Sequence, residues 1–326
     1  MTKRERVKAA MAGQAADRVP VAFWRHWPGD DQDPVSLAEA ALHYQARFDW
    51  DFIKLTPSHA YCVEDYGIRH AYRGNPLGIR EHLERAVKQP EDWDRLEPLD
   101  VRKGAFGRQL ECLRMVVDKR PADTPILQTV FNPLAMAFYL SGDESGLVRM
   151  RREPERLLRA VAALTETCAR FSRAAIAEGA DGIFFATRHA SYDIMSEDEY
   201  RRFGQPGDLA VLQAAKDGWC HIVHLHGQHP MFDLVATYPV TGLNWHDRTA
   251  IPSLAEGAKK FPGAVVGGIE QFQVLHYGTP ADVEAQARDA IVQTQGKRLI
   301  IGAGCTFPIT VSERNLLAAR KVAWGG

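Results

Sequence analysis

Two histidines separated by one leucine, His224 and His226 in "HIVHLHGQHP", are the residues whose types and spacing most directly suggest chemistry. In an extended segment side chains alternate faces, so both imidazoles leave one side while Val223 and Leu225 leave the other. Their Cα atoms then stand about 6 to 7 Å apart, close enough for the rings to converge on one ion. A third donor of the right kind lies in "IIGAGCTFP", where glycines let the backbone come close before Cys305. Two imidazoles, a thiolate and an open fourth position describe a catalytic zinc site, and a substrate thiol taking that position loses its proton. On the residues alone a second reading stays open: the histidines as hydrogen-bonded groups of a buried strand, and Cys305 as a small buried side chain.

The metal reading needs elements that bring distant donors together. Eight short apolar runs read as strands: "VPVAFW" (19–24), "FIKLT" (52–56), "ILQTVF" (126–131), "GIFFAT" (182–187), "HIVHLHG" (221–227), "GLNWHD" (242–247), "AVVGGIE" (264–270) and "LIIGAG" (299–304). Stretches of helical period lie between most of them. "PERLLRAVAALTETCARFSRAAIAEGA" is the clearest, closed by Gly179 as a helix stop. Alternating strand and helix implies parallel pairing through crossovers. Eight such units predict an α/β fold: one (β/α)8 TIM-type barrel over residues 1–326, with an N-terminal helical extension and an insertion between strands 2 and 3. The second choice is a doubly wound sheet with an added domain. The insertion, "YRGNPLGIREHLERAVKQPEDWDRLEPLDVRKGA", is expected near the barrel mouth, where it contributes to substrate cover.

In such a barrel the chemistry sits at the carboxyl ends of the strands. The polar residues there include Arg25, His26, Thr56, His59, Asn132, Thr187, Arg188, His189, His224, His226, His246, Asp247, Glu270 and Cys305. Arg25, Arg188 and His189 are expected around the mouth, where they bind an anionic end of a substrate. Surface ion pairing is the other reading of each.

Composition bounds the partners. The 326 residues are 45% hydrophobic and 25% charged, as in ordinary soluble globular proteins. A net charge of -1 offers no field for nucleic acid or an anionic membrane, so a small-molecule partner is expected. No run approaches the length of a membrane span, and no signal-peptide segment is evident, so cytoplasmic location is the default expectation. Five scattered cysteines without a CxxC pair fit a reducing compartment.

"GADGIFFATRHASYDIMSEDEYRRFGQP", "HLHG", "VVGGIEQFQVLHYGTPADVEAQARDAI" and "LIIGAGCTFPITVSERNLLAA" together resemble the uroporphyrinogen decarboxylase superfamily, and "DRVPVAFWRHWPG" resembles its opening strand. The resemblance spans nearly the whole chain and implies the same barrel. It departs from true decarboxylases, which are metal-free and hold pyrrole carboxylates. Arg25 matches their first arginine, but "RHWPGD" lacks the second. "KLTPSH" lacks their aspartate, and "GAGC" stands where their Gly-His-Gly falls.

The chain is more similar to the zinc-dependent methylcobamide:coenzyme M methyltransferase branch, with its His-x-Cys motif and distant cysteine. There His224 matches the motif histidine, His226 stands in the place of its cysteine, and Cys305 matches the distant cysteine. The resemblance implies a Zn²⁺ cofactor, a small-molecule thiol and an alkyl donor. A corrinoid would arrive on a separate protein, since this chain holds no corrinoid module. Dimers occur in resembling families, so a homodimer is compatible. Replacing thiolate by imidazole at His226 removes one negative charge and makes the ion more Lewis acidic. That branch can take an acidic ligand from the strand "GLNWHDRT", and Asn244 falls at the aligned position. His246 shares its face and is the candidate fourth ligand; Asp247 is the candidate hydrogen-bond partner of a ligand imidazole, or else pairs with Arg248. The expected function is zinc-dependent methyl or alkyl transfer through a metal-activated thiolate, with His246 and Asp247 supporting. The alternatives are a metal-free decarboxylase or lyase of a small carboxylate, and a non-catalytic binder of a corrinoid or tetrapyrrole.

Overall fold

The computed structural model describes residues 1–325. Seven parallel strands form one curled sheet in the order β1 (Ile53–Leu55), β4 (Ile126–Phe131), β5 (Gly182–Thr187), β6 (Ile222–Leu225), β7 (Gly242–Trp245), β8 (Ala264–Ile269) and β9 (Leu299–Ala303). Two short antiparallel strands, β2 (Arg69–Ala71) and β3 (Glu81–Glu84), pair apart from it. Each neighbour in the large sheet is the next strand of that sheet in the chain, joined through helical crossovers, as a (β/α)8 architecture requires.

The expected first strand, 19–24, is an extended segment with a single parallel bridge, Val21 to Ile301. It nevertheless bonds on both sides. Ala22 N donates to Ile301 O (2.9 Å) and Ile301 N to Pro20 O (2.8 Å), while Asp51 N, just before β1, donates to Val21 O (2.9 Å). A longer ladder is blocked because Pro20 has no N–H and the Val21 N–H is taken by the Asp51 carboxylate at 2.8 Å. The eighth position is thus a bridge, and seven of the eight expected runs are strands.

The long helix Pro154–Ala177 behaves as its periodicity predicts. Leu157, Val161, Leu164, Cys168, Phe171 and Ala175 are buried along one stripe. Gly179, with φ 103°, turns the chain into β5. The N-terminal extension is the helix Lys3–Met11, started by a reciprocal Thr2–Glu5 capping box and packed through Met11 against Cys220. The insertion between β1 and β4 carries the β2–β3 hairpin and the 3₁₀ turn Pro90–Arg95, anchored by buried Trp93. Among the described residues no helix is long and apolar enough to cross a membrane.

Candidate metal centre

The carboxyl ends of β6, β7 and β9 bring four donors together. His224 lies in β6 and His226 just beyond it, His246 follows β7, and Cys305 follows β9. One donor atom from each lies within 4.8 Å of the other three. Cys305 Sγ is 3.5 Å from His224 Nε2 and 3.9 Å from His226 Nδ1, and His246 Nε2 is 3.4 Å from His226 Nδ1. Donors of a tetrahedral zinc site, with bonds of about 2.0–2.3 Å, stand about 3.3 to 3.8 Å apart. Three imidazoles and a thiol at these spacings fit a borderline-soft ion such as Zn²⁺. Gly304 makes the approach possible: a Cβ there would lie 2.9 Å from His246 Cα and 3.0 Å from Trp245 O.

Two of the imidazoles have an outer hydrogen-bond partner. The Asn244 amide donates to Val266 O (2.7 Å) and Ala303 O (3.0 Å), which turns its Oδ1 to His224 Nδ1 at 2.6 Å. An oxygen there requires the proton on Nδ1, so the His224 Nε2 lone pair faces Cys305. His246 Nδ1 meets the Gln271 amide at 2.9 Å. Burial pushes the Cys305 thiol up, but the facing His224 imidazole and the hydrogen bonds from His224, His226 and His246 hold it well below the ordinary thiol value. Burial lowers His224. At His246 burial acts the same way, but the Cys305 sulfur outweighs it and raises the imidazole.

The cluster opens into a cavity of about 750 Å³. Trp24, Phe131, Tyr139 and Phe184 give it aromatic walls, and Leu77, Ile79, His82 and Arg85 line it from the insertion. That excursion therefore does cover the mouth.

The remaining sequence candidates separate. Arg188 lines the cavity but pairs in bidentate fashion with Asp143 at 2.8 and 2.9 Å. His189 is fully buried against Phe138, with Nε2 3.3 Å from Asp143, and does not line the cavity. Arg25 also lies off it; its guanidinium donates to Ile309 O and sits over the Trp27 ring. The Asp247 carboxylate turns to the backbone, accepting Gly268 N at 3.1 Å on both oxygens, and pairs with Arg248 at 3.7 Å as its second reading expected; among the described residues it makes no hydrogen bond to an imidazole. The imidazole partners are Asn244 and Gln271 instead.

Among the cavity residues that escaped the sequence reading are Lys54, His82, Arg85 and Gln271. The signal available for Lys54 was a lone charge at mid-run in "FIKLT", sharing its face with Thr56.

Known proteins extend these observations. The chain is 24% identical to the methylcobamide:CoM methyltransferase MtbA of Methanosarcina mazei, over 97% of this chain and 95% of the relative. It is 25% identical to the methylcobamide:CoM methyltransferase MtaA of Methanosarcina barkeri, over 98% and 97%. A solved methyltransferase from Methanosarcina mazei superposes with a TM-score of 0.88 at 21% identity, covering 100% of this chain and 98% of that one. The uroporphyrinogen decarboxylase (URO-D) profile matches residues 2–323, end to end across the curled sheet, the insertion and the cluster. The chain therefore belongs to the uroporphyrinogen decarboxylase (URO-D) family.

Proposed function

We propose that this chain is a zinc-dependent methyl- or alkyltransferase that uses a thiol as nucleophile. The observation that carries the reading is the convergence of His224, His226, His246 and Cys305 at one end of the cavity, with the His224 tautomer set by Asn244. The full-length similarity to two methylcobamide:CoM methyltransferases supports the reaction class. His224, His226 and Cys305 would hold the ion, with His246 as the candidate fourth donor.

A zinc ion held there supplies Lewis acidity that lowers the pKa of a coordinated thiol. The chain's own residues do the rest. Asn244 and Gln271 fix the orientation of the imidazoles, and the aromatic walls exclude water so that the sulfur anion stays poorly solvated and reactive. A corrinoid alkyl donor would come on a separate protein. The metal-free decarboxylase reading has less support, since Arg25 faces away from the cavity and Arg188 is neutralised by Asp143.

Metal analysis of the purified protein beside Cys305→Ser tests the proposal. Wild type is expected to hold about one zinc per chain and the variant a small fraction of that. Transfer from methylcobalamin to 2-mercaptoethanol, followed by loss of the alkylcobalamin spectrum, should fall at least about 100-fold in the variant. A metal-free protein whose turnover survives Cys305→Ser overturns the assignment.

A further inference from the structure

Lys54 is a cationic group in the cavity that, among the described residues, forms no ion pair with a carboxylate. It lies in the middle of β1, half-buried, and lines the same cavity as the cluster. Its Nζ reaches Thr56 Oγ1 at 3.3 Å and otherwise faces aromatic rings, Phe184 at 4.6 Å and Trp24 at 5.8 Å. The carboxylates lining the cavity are committed elsewhere: Asp143 to Arg188, and Glu270 to the backbone N–H groups of Phe272, Gln273 and Val274. One of three ammonium donors is satisfied, so the charged form is poorly compensated. Burial accordingly pulls Lys54 down to about 7.

Its position relative to the cluster gives this amine a use. The Phe184 ring beneath Nζ stacks with the His224 imidazole, centroids 6.0 Å apart, so one ring separates Lys54 from a cluster residue. The titratable groups that face Lys54 are Cys305, from the loop after β9, and His26, from the segment beside β9. His26 does not compete for a proton. Its Nδ1 donates to Pro57 O at 3.2 Å, and burial lowers it to about 4.

We infer that Lys54 is the proton acceptor for the thiol that enters the cluster, an inference that rests on the thiol reading under Proposed function. The S–H bond breaks, its electron pair stays on sulfur, and the proton goes to the Nζ lone pair. The resulting ammonium faces the new sulfur anion across the cavity. When alkylation makes the sulfur neutral, the ammonium loses that partner and returns its proton to water.

The test uses cobalt(II)-loaded full-length protein and 2-mercaptoethanol as probe. Two readouts are recorded at pH 8: the sulfur-to-cobalt band in the near ultraviolet, and protons released to a dilute indicator. Wild type is expected to release well under one proton per thiol bound, whereas Lys54→Met and Lys54→Arg each release about one. The wild-type rise in kcat/KM through about pH 7 should vanish in both, with a loss on the order of 100-fold. Thermal unfolding of each variant checks that it folds. If Lys54→Arg matches wild type in both readouts, Lys54 is a fixed positive charge and the proton role is overturned. If Lys54→Met matches wild type, the proposal fails outright. No band in wild type sinks instead the thiol reading on which it rests.

Discussion

Asn244 decides which nitrogen of His224 faces Cys305, because both of its amide hydrogens are already given to Val266 O and Ala303 O. Asn244→Leu removes the acceptor for Nδ1–H and takes a side-chain donor from two carbonyls, Val266 O and Ala303 O. Metal affinity should fall about 10- to 100-fold, the usual loss when an outer partner of a ligand histidine is removed. Competition against a chelator on the folded variant measures it, and an unchanged affinity would show that the tautomer is not set here. At this scale much of the centre was legible. Strand alternation pairs His224 with His226, the strand-end rule adds Cys305, and His246 follows through the family resemblance, which marks Asn244 on the same face. Lys54 was missed although it shares a face with Thr56, since a lone lysine in a short apolar run carries no spacing pattern of its own. Of the two readings of Asp247, the pairing with Arg248 is the one seen, at 3.7 Å, while its Gly268 backbone partner was not legible because no side-chain pattern advertises a backbone donor.

Among the elements, the β2–β3 hairpin carries the cover of the cavity, and one glycine seats it. Gly78 has φ 75°, and a Cβ on it would stand 2.8 Å from His26 Cβ, 3.0 Å from Ile309 and 3.1 Å from Pro28. The hairpin loop is tied to the chain after β9 by Ile309 N donating to Pro76 O at 2.8 Å. Gly78→Ala therefore meets a left-handed backbone cost of about 1–2 kcal/mol and a collision with the segment that holds His26. It should lower thermal stability by a few degrees and weaken 2-mercaptoethanol binding to the cobalt-loaded protein, with metal content unchanged. Unchanged thiol binding would separate the hairpin from the site. The sequence placed this excursion correctly but not its form. Its strands are three and four residues long, half exposed and shifted in register between Arg69 and His70, so they carry no clean alternation to read. The first expected strand failed for a local reason too, a proline and a carboxylate taking two ladder positions that hydrophobicity alone suggested were free.

Across the whole molecule, the two ends of the parallel sheet divide the work. The cluster sits where β6, β7 and β9 end. Asp51 sits before β1, at the opposite end, fully buried, and gathers the segment from Arg6 to Val21. It accepts Arg6 Nη1 at 2.7 Å, Arg18 at 2.7 and 3.0 Å, and Val21 N at 2.8 Å, tying the first helix and the bridging segment to β1. Replacing this carboxylate by an amide leaves two arginines facing a neutral group, and breaking such a buried pair costs about 3–5 kcal/mol. Asp51→Asn should thus lower the unfolding midpoint on the order of 10 °C while leaving metal affinity unchanged. Cys305→Ser should do the reverse, removing metal with little change in the midpoint of the metal-free protein. Because the two sites share no partners, the double variant should unfold in the metal-free form near the midpoint of Asp51→Asn and bind metal as weakly as Cys305→Ser. A drop in cobalt affinity on Asp51→Asn alone would mean that the bridging segment transmits strain along β9 to Cys305, and that stability and metal binding are not separable in this barrel.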